Sequence, residues 1–396
     1  MVVRLQGDLP SAWWQWVELT ASLQRLYEGR KSQRNGVPIQ VAEADETQTL
    51  GLQISARSRL LSGWNTTTGL DGYADVVRSQ RTETDENTQL SFQKRGLYPD
   101  RSSMHSWAAY HLHTYTGRRL TLTGGLRYNA FRLRVPTEAI GTAVLRPSAL
   151  VGNLGISWAC WRDLRLFANA ATAFRAPNVD DLGTLGIVDF RYEVPNYQLR
   201  PERSRGLETG VKIKTPALAA TFSAYHLQLS DLIGRLPGPD SLQGYRVYRQ
   251  ENITAAYVRG LESRLEWPFL PHWKLAAHAG YTFGHNTTVD EPLRRIPPLH
   301  GRIYLQFAPR RNLLLRAESI FATAQHRLAG GDRADNRIAA GGTSGWQIFN
   351  MAVFYQYKIF TLTAEFHNLW NAAYLTHGSG VDGRGRSVAL RLGLAF

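Results

Sequence analysis

Long stretches of this chain alternate apolar and polar residues with a period of two, which constrains the fold more than any other feature. At the C-terminal end Val388, Leu390, Leu392, Leu394 and Phe396 alternate with Ala389, Arg391, Gly393 and Ala395. Leu120, Leu122, Leu126 and Tyr128 alternate in the same way with Thr121, Thr123, Arg127 and Asn129. So do Trp273, Leu275, Ala277, Ala279, Tyr281 and Phe283 with Lys274, Ala276, His278, Gly280 and Thr282. Successive side chains of a strand point to opposite faces, so each stretch has an apolar face and a polar one.

About sixteen such segments are predicted, from 12–27, 46–60 and 63–80 at one end to 346–357, 360–369 and 386–396 at the other. Many exceed the ~9–11 residues that a tilted strand needs to cross a bilayer. Their connections alternate in length. Short ones lie near 61–62, 115–117, 161–162, 215–217, 268–271, 309–311 and 358–359. Long ones lie near 28–45, 81–102, 132–145, 175–202, 233–254, 286–297, 324–345 and 370–385. Short turns on one rim and long loops on the other describe an all-β, transmembrane antiparallel β-barrel. A soluble sandwich or propeller uses shorter strands and lacks this alternation.

Composition fits once the two faces are separated. A mean hydropathy of −0.30 suits a wall with lipid on one side and water on the other. No apolar run reaches the ~18–20 residues of a membrane-spanning helix. The N-terminal Met1–Asp8 segment shows neither the apolar core nor the cleavage site of a signal peptide. The single Cys160 excludes a disulfide framework and multi-cysteine metal sites. The net charge of +14 comes from 40 Arg and 6 Lys against 32 acidic residues. The arginines form no run or stripe, so lipid phosphates or an anionic small ligand suit them better than nucleic acid. Trp13, Tyr128, Trp161, Trp267, Tyr281, Trp346, Tyr355 and Tyr357 read as interfacial belt residues. The file Val388, Leu390, Leu392, Leu394 and terminal Phe396 resembles the signal read by the outer-membrane insertion machinery. With that end on the periplasmic side, the long loops are expected to be extracellular.

Two stretches stand out beyond the alternation. The first joins Phe174-Arg175-Ala176-Pro177-Asn178-Val179-Asp180-Asp181-Leu182-Gly183 to Val194-Pro195-Asn196-Tyr197-Gln198-Leu199-Arg200-Pro201-Glu202-Arg203-Ser204. The second runs from Arg295-Ile296-Pro297-Pro298 to Asn368-Leu369-Trp370-Asn371 and the loop at His377-Gly378-Ser379-Gly380. Both resemble the barrel half of TonB-dependent outer-membrane receptors, and they are similar to that family's FRAP box, its NPxLxPE-like box and its late N-L-x-[ND] turn. Val258-Arg259-Gly260-Leu261-Glu262 is similar to its xRGxE strand. The likeness covers the chain from about residue 50 onward. It implies a barrel of about 22 strands around an N-terminal plug domain. It further implies uptake of a scarce ligand (ferric siderophore, haem, cobalamin or glycan) energised through TonB. The family's plug and energy-coupling box are not matched, and only about sixteen strands are predicted. Residues 1–396 are therefore expected to be the C-terminal part of such a barrel, beginning at the family's seventh strand, with TonB as a partner only where a plug is supplied.

Candidate ligand contacts lie in the long loops: Arg175, Asn178, Asp180, Asp181, Arg191 and Tyr192, then His326, Arg327, Arg333 and His377. For the first group, bracing of the loop by Pro177 and Pro195 competes with ligand contact. Haem receptors of the family place an iron-ligating histidine between the two boxes. Residues 178–193 hold none, which leaves His326 or His377 as substitutes. Asp332 and Asp335 have a spacing that suggests Ca²⁺, but no terminal bidentate carboxylate follows, so a loop turn fits better. Lumen- or plug-facing charges are expected at Glu18, Arg127, Glu208, Lys212, Glu262, Arg264, Glu266, Arg302, Arg316, Glu318, Glu365 and Arg391. Pairing between neighbouring strands is their plainer use. No catalytic residue, resident metal or cofactor is expected. Besides the uptake receptor, two readings compete: a passive sixteen-stranded porin, whose strand number alone makes a water-filled pore, and a hydrolase built on Ser379 and His377.

Overall fold

In a computed structural model, residues 1–9, 14–137, 141–188, 191–242 and 244–395 are described. Trp13 and Phe396, which the sequence places in the belt and the insertion signal, lie outside the described residues. The chain divides into two compact units. The first comprises Met1–Gly155, Ala171–Arg205 and Leu229–Thr254, and the second Ile156–Ala170, Gly206–Gln228 and Ala255–Phe396.

Among the described residues the protein is all-β apart from two single-turn helices, Val179–Gly183 and Gly330–Arg333. The described residues contain 22 strand segments, where the period predicts sixteen. All sixteen expected segments are strands, beginning with Trp16–Gln33, Ile39–Leu61 and Trp64–Asp85 and ending with Trp346–Tyr357, Phe360–His367 and Ser387–Leu394. The additional segments have an identifiable origin. Val2–Asp8 pairs in register with Trp16–Ser22 but carries Arg4 and Gln6 among its apolar residues, and it is short. Ser91–Arg95, Gly141–Leu145, Gly186–Val188, Arg191–Val194 and Glu291–Pro292 are short ladders inside the long connections. Backbone pairing creates them with no apolar file to announce them.

For the same reason two predicted loops are largely strand. Residues 28–45 shrink to a turn at 34–38 between Trp16–Gln33 and Ile39–Leu61. Residues 233–254 become the distal halves of Leu218–Leu242 and Tyr245–Leu270. Charged residues occupy these extensions. Arg30 and Arg81 both ion-pair with Glu43, and Arg81 also bonds Glu83 at 2.7 Å. Such cross-strand charge pairs hold the ladder together where hydropathy no longer alternates.

In the first unit, antiparallel neighbours run in chain order from Val2–Asp8 to Leu120–Thr137. One parallel contact, Tyr192–Val194 beside Val247–Arg249, breaks the rule. One face of this wall exposes Leu50, Leu52, Ile54, Leu70, Leu126 and Tyr128. The other carries Thr49 bonded to Asp75 and Arg127 paired with Asp71. A separate core forms at the long-loop end, where Leu133, Val135, Ala143, Leu182 and Leu199 pack together. In the second unit, antiparallel neighbours run from the 256–270 part of Tyr245–Leu270 to Ser387–Leu394. Its exposed apolar file includes Leu390 at 72% and Leu392 at 82%. Trp346 departs from the belt reading. It alternates onto the file opposite to Tyr355 and Tyr357 and packs on Tyr374 with ring centroids 4.7 Å apart.

The loop-end core yields a direct test. Leu182→Ala opens a cavity in a fully buried site and is expected to cost about 2–5 kcal/mol locally. Hydrogen exchange should accelerate across 176–202 while the strand ladder stays protected. Unchanged exchange in that segment would contradict the assignment of Leu182 to the core.

Candidate functional site

Two loop clusters gather the polar residues that the sequence singles out, one in each unit. In the first unit the cluster is organised around Arg175, the last residue of Leu164–Arg175. Its guanidinium grips Glu202 with two bonds, Nε to Oε2 at 2.6 Å and Nη2 to Oε1 at 2.9 Å. Its remaining nitrogen, Nη1, reaches Asp181 Oδ2 at 2.7 Å. Glu202 Oε1 also accepts from the backbone N–H of Ile233 at 2.7 Å. Asn178 caps the helix Val179–Gly183: its side chain accepts from Asp181 N–H, and the Asp181 carboxylate accepts from Asn178 N–H. This reciprocal capping satisfies two helix-end donors at once.

The second box closes the same brace. Asn196 Nδ2 donates to Gln250 O at 2.8 Å, Leu199 enters the core, and Glu202 is the partner of Arg175. Arg191 and Arg235 converge on Glu193 at 3.1 and 2.7 Å, and Arg235 also approaches Asp180 at 3.4 Å. Arg191 lies over the Tyr248 ring, and Tyr192 sits in the ladder between Ile187 and Val247. Burial pushes the nearby Tyr98 hydroxyl up to about 12, with Asp180 adding to the effect. Arg175, Asn178, Asp180, Asp181 and Arg191 are thus brought together with internal partners, as the bracing reading expects.

In the second unit three connections meet on two aspartates. Asp332 is fully buried. It accepts from the backbone N–H of Arg295 through both oxygens at 3.2 Å, and Arg294 Nε lies 3.5 Å away. Asp335 gathers three arginines: Arg294 at 2.6 Å, Arg295 at 3.1 Å, and a two-toothed contact from Arg337 at 2.8 Å on each oxygen. Arg337, then Arg295, holds the Asp335 carboxyl well below the usual carboxylate range. The Asp332/Asp335 spacing therefore serves arginine, as the absence of a bidentate terminal ligand implies. Arg333 donates to Leu328 O at 2.9 Å and lies 3.9 Å from Glu291. Arg327 stacks on the Phe283 ring at 3.7 Å.

The histidines have separate partners. His326 Nδ1 pairs with Gly341 O at 2.9 Å, and His377 Nδ1 with Thr343 Oγ1 at 2.8 Å. His377 Nε2 is buried with no partner. Burial pushes this imidazole below its usual range, with Asp332 opposing the shift and Arg295 reinforcing it. Ser379 bonds within its own turn to Val381, so Ser379 and His377 form no nucleophile–base pair. Among the described residues no group of three or more His, Cys, Asp or Glu is placed to hold a metal ion.

The wall charges pair mostly within their own surface. Arg127 meets Asp71 at 2.7 Å, Arg264 meets Glu266 at 2.7 Å, and Arg302 meets Glu318 at 3.4 Å. Glu18 meets Arg4, Glu208 accepts from Asn169, and Glu365 lies 3.9 Å from His367. Lys212 and Arg316 lie over the rings of Phe167 and Phe354, while Glu262 and Arg391 stay exposed. Glu318 further accepts from Asn350, whose amide oxygen accepts from Asn368 N–H. That bond anchors the late turn. Asn368 and Asn371 take φ of 48° and 52°, left-handed values that asparagine tolerates.

The comparisons with known proteins agree with this architecture. The family described as TonB dependent receptor-like, beta-barrel matches residues 5–369. The match begins well before residue 50, so the N-terminal strands that carry none of the boxes belong to it too. The copper transporter OprC superimposes with a TM-score of 0.87 at 18% identity, covering 100% of this chain and 65% of that one. The unliganded ferric citrate transporter FecA gives 0.76 at 14% identity, covering 99% and 61%. The FrpB iron transporter from Neisseria meningitidis gives 0.73 at 14% identity, covering 98% and 61%. The chain thus spans less than two thirds of the length of these structures. It belongs to the TonB-dependent receptor β-barrel family, whose members reside in the outer membrane.

The two titratable hubs separate by pH. Asp335 is depressed, so its contribution is complete above about pH 4 and fades only as pH falls below that. His377 is also depressed, so its neutral form favours docking above about pH 6.5 and protonation erodes docking below. Between about pH 7.5 and 5.5, hydrogen exchange at 374–380 should accelerate, and His377→Gln should flatten the response. Asp335→Asn should instead loosen 324–345 at every pH in that window, by about 1–3 kcal/mol. An equal pH response in His377→Gln and the parent would contradict the assignment.

Proposed function

We propose that the chain forms receptor wall for uptake of a scarce anionic metal chelate, a ferric siderophore or similar complex, across the outer membrane with energy relayed through TonB. Its long loops face the exterior and its short turns the periplasm. The observation that carries the ligand class is the charge at the long-loop end of the second unit. There Arg294, Arg295, Arg333 and Arg337 gather around three carboxylates, Asp332, Asp335 and Glu291. Arginine presents a planar fork that suits carboxylate and catecholate oxygens, and it holds its charge at any physiological pH. The copper, ferric citrate and iron transporters of the same fold support a metal-containing cargo. Arg333 has the weakest internal carboxylate contact of the four, 3.9 Å to Glu291, so it is the contact assigned to ligand. His326 and His377 border the same loops as auxiliary contacts. The passive porin reading gains no specific observation.

Titration of the full chain in detergent with ferric citrate as probe tests this reading. Binding is expected, and Arg333→Gln should weaken it about tenfold or more while the loops stay folded. Absence of binding, together with bilayer conductance that grades smoothly with solute size, would support a passive pore instead.

A further inference from the structure

The strand Tyr245–Leu270 carries, beside the brace and the wall pairs, one arginine with an unusual setting. Arg259 is exposed, stacks on the Tyr257 ring at 4.5 Å and donates from Nε to His226 Nδ1 at 3.1 Å. In register, Arg259 opposes Phe283 and Tyr257 opposes His285. The Tyr257 and Phe283 rings are stacked, 6.0 Å apart at 14°. Arg327 lies over the far member of that pair, 3.7 Å from the Phe283 centroid. Two guanidiniums therefore sit on one aromatic ladder, and among the described residues neither bonds a carboxylate. Cation–π stacking fixes each guanidinium without consuming its outward N–H donors.

Below the ladder on the same file is a groove of about 420 Å³, lined by Ala224, Leu261, Tyr281 and Phe283 with Tyr257 and Arg259 at its head. Gly260 and Tyr225 also line it, and Gly260 leaves room for the Tyr225 ring. A Cβ there would lie 2.2 Å from the Tyr225 ring, whose hydroxyl instead bonds Thr282 at 3.1 Å. The groove belongs to the apolar file, since Leu261 and Tyr281 are exposed and pair in register. At roughly 3.3 Å per residue, the strand from Trp267 to Arg259 spans about 26 Å, or about 20 Å along the membrane normal at a tilt of about 35–45°, against the ~25 Å apolar band of an outer-membrane barrel. With Trp267 at one edge of that band, Arg259 stands within about 5 Å of the other, on the long-loop side, within reach of a lipid phosphate for its long side chain.

We propose that this file is a lipid site: Arg259 and Arg327 hold the phosphate of an anionic membrane lipid while one acyl chain occupies the groove along Leu261 and Tyr281. Charge complementarity selects the occupant, because two arginines without carboxylate partners above an apolar channel match a phosphate joined to a hydrocarbon chain. The inference rests on the reading that the wall spans a bilayer.

Isothermal titration of the full chain in detergent tests it, with dioctanoyl phosphatidic acid as probe beside inorganic phosphate and dioctanoylglycerol. The phosphatidic acid should bind about tenfold or more tightly than either component alone. Arg259→Gln with Arg327→Gln should remove that advantage, and Arg259→Lys with Arg327→Lys should retain part of it. Heat-modifiable gel migration of the same samples verifies the fold. Equal binding by the Gln pair and the parent would overturn the site. Inorganic phosphate binding as well as the lipid would reduce it to a free-anion site, and dioctanoylglycerol binding as well would reduce it to an apolar groove; either result overturns the proposal. Liposome insertion is measured separately. A chain that inserts but shows no arginine-dependent binding lacks the site, whereas one that binds but never inserts contradicts the membrane reading.

Discussion

Every peptide group placed in hydrocarbon must find a hydrogen-bond partner within the protein, and the rest of this structure follows from that requirement. Long antiparallel ladders satisfy it, and their registers decide which residues share a face. In the ladder of Ser102–Thr116 with Leu120–Thr137, Tyr110 opposes Arg127 and Ala109 opposes Tyr128. A slip of one residue would send Arg127 to the lipid side and Tyr128 to the other. The polar pairs, Arg127 with Asp71 and Arg302 with Glu318, are compatible with the fold only because the register keeps them off the apolar file.

The boxes that identify the family do mechanical work. Arg175, Asp181 and Glu202 form one clamp, and Asn178 caps the helix that supplies Asp181. Asn368 joins Asn350 to the carbonyls of Ala372 and Arg384. Gly260 leaves room for Tyr225. The first two hold a long connection to the end of a wall strand, and the third packs within the ladder. In the proposed receptor, ligand chemistry falls to a residue that the boxes do not contain, Arg333 beside the Asp332/Asp335 cluster.

The period of two exposed the wall because one face needs apolar atoms and the other does not. It does not extend to Val2–Asp8, whose alternation covers only Val3 to Gln6, or to the strand extensions around Glu43 and Arg81, where charged residues crowd the ladder and the alternation vanishes although pairing continues. The loop residues were legible as polar and positioned, but their partners were not. Nothing in the local sequence of Asp335 indicates that Arg294 and Arg295, some forty positions earlier, complete its shell. The Asp332/Asp335 spacing suggested a cation and the cation turned out to be guanidinium. The ladder of Tyr257, Phe283, Arg259 and Arg327 was invisible for the same reason, since three separate segments supply it.

The account stands on a two-faced wall, and spin labels report the faces directly. Single cysteines at 389 to 392, in a Cys160→Ser background, would be labelled in the liposome-reconstituted chain and probed with oxygen and with a water-soluble relaxant. Labels at Leu390 and Leu392 should respond to oxygen, and those at Ala389 and Arg391 to the polar reagent, with a period of two. Equal access of the polar reagent to all four positions would contradict a lipid-facing file, and with it the membrane wall on which the receptor reading rests.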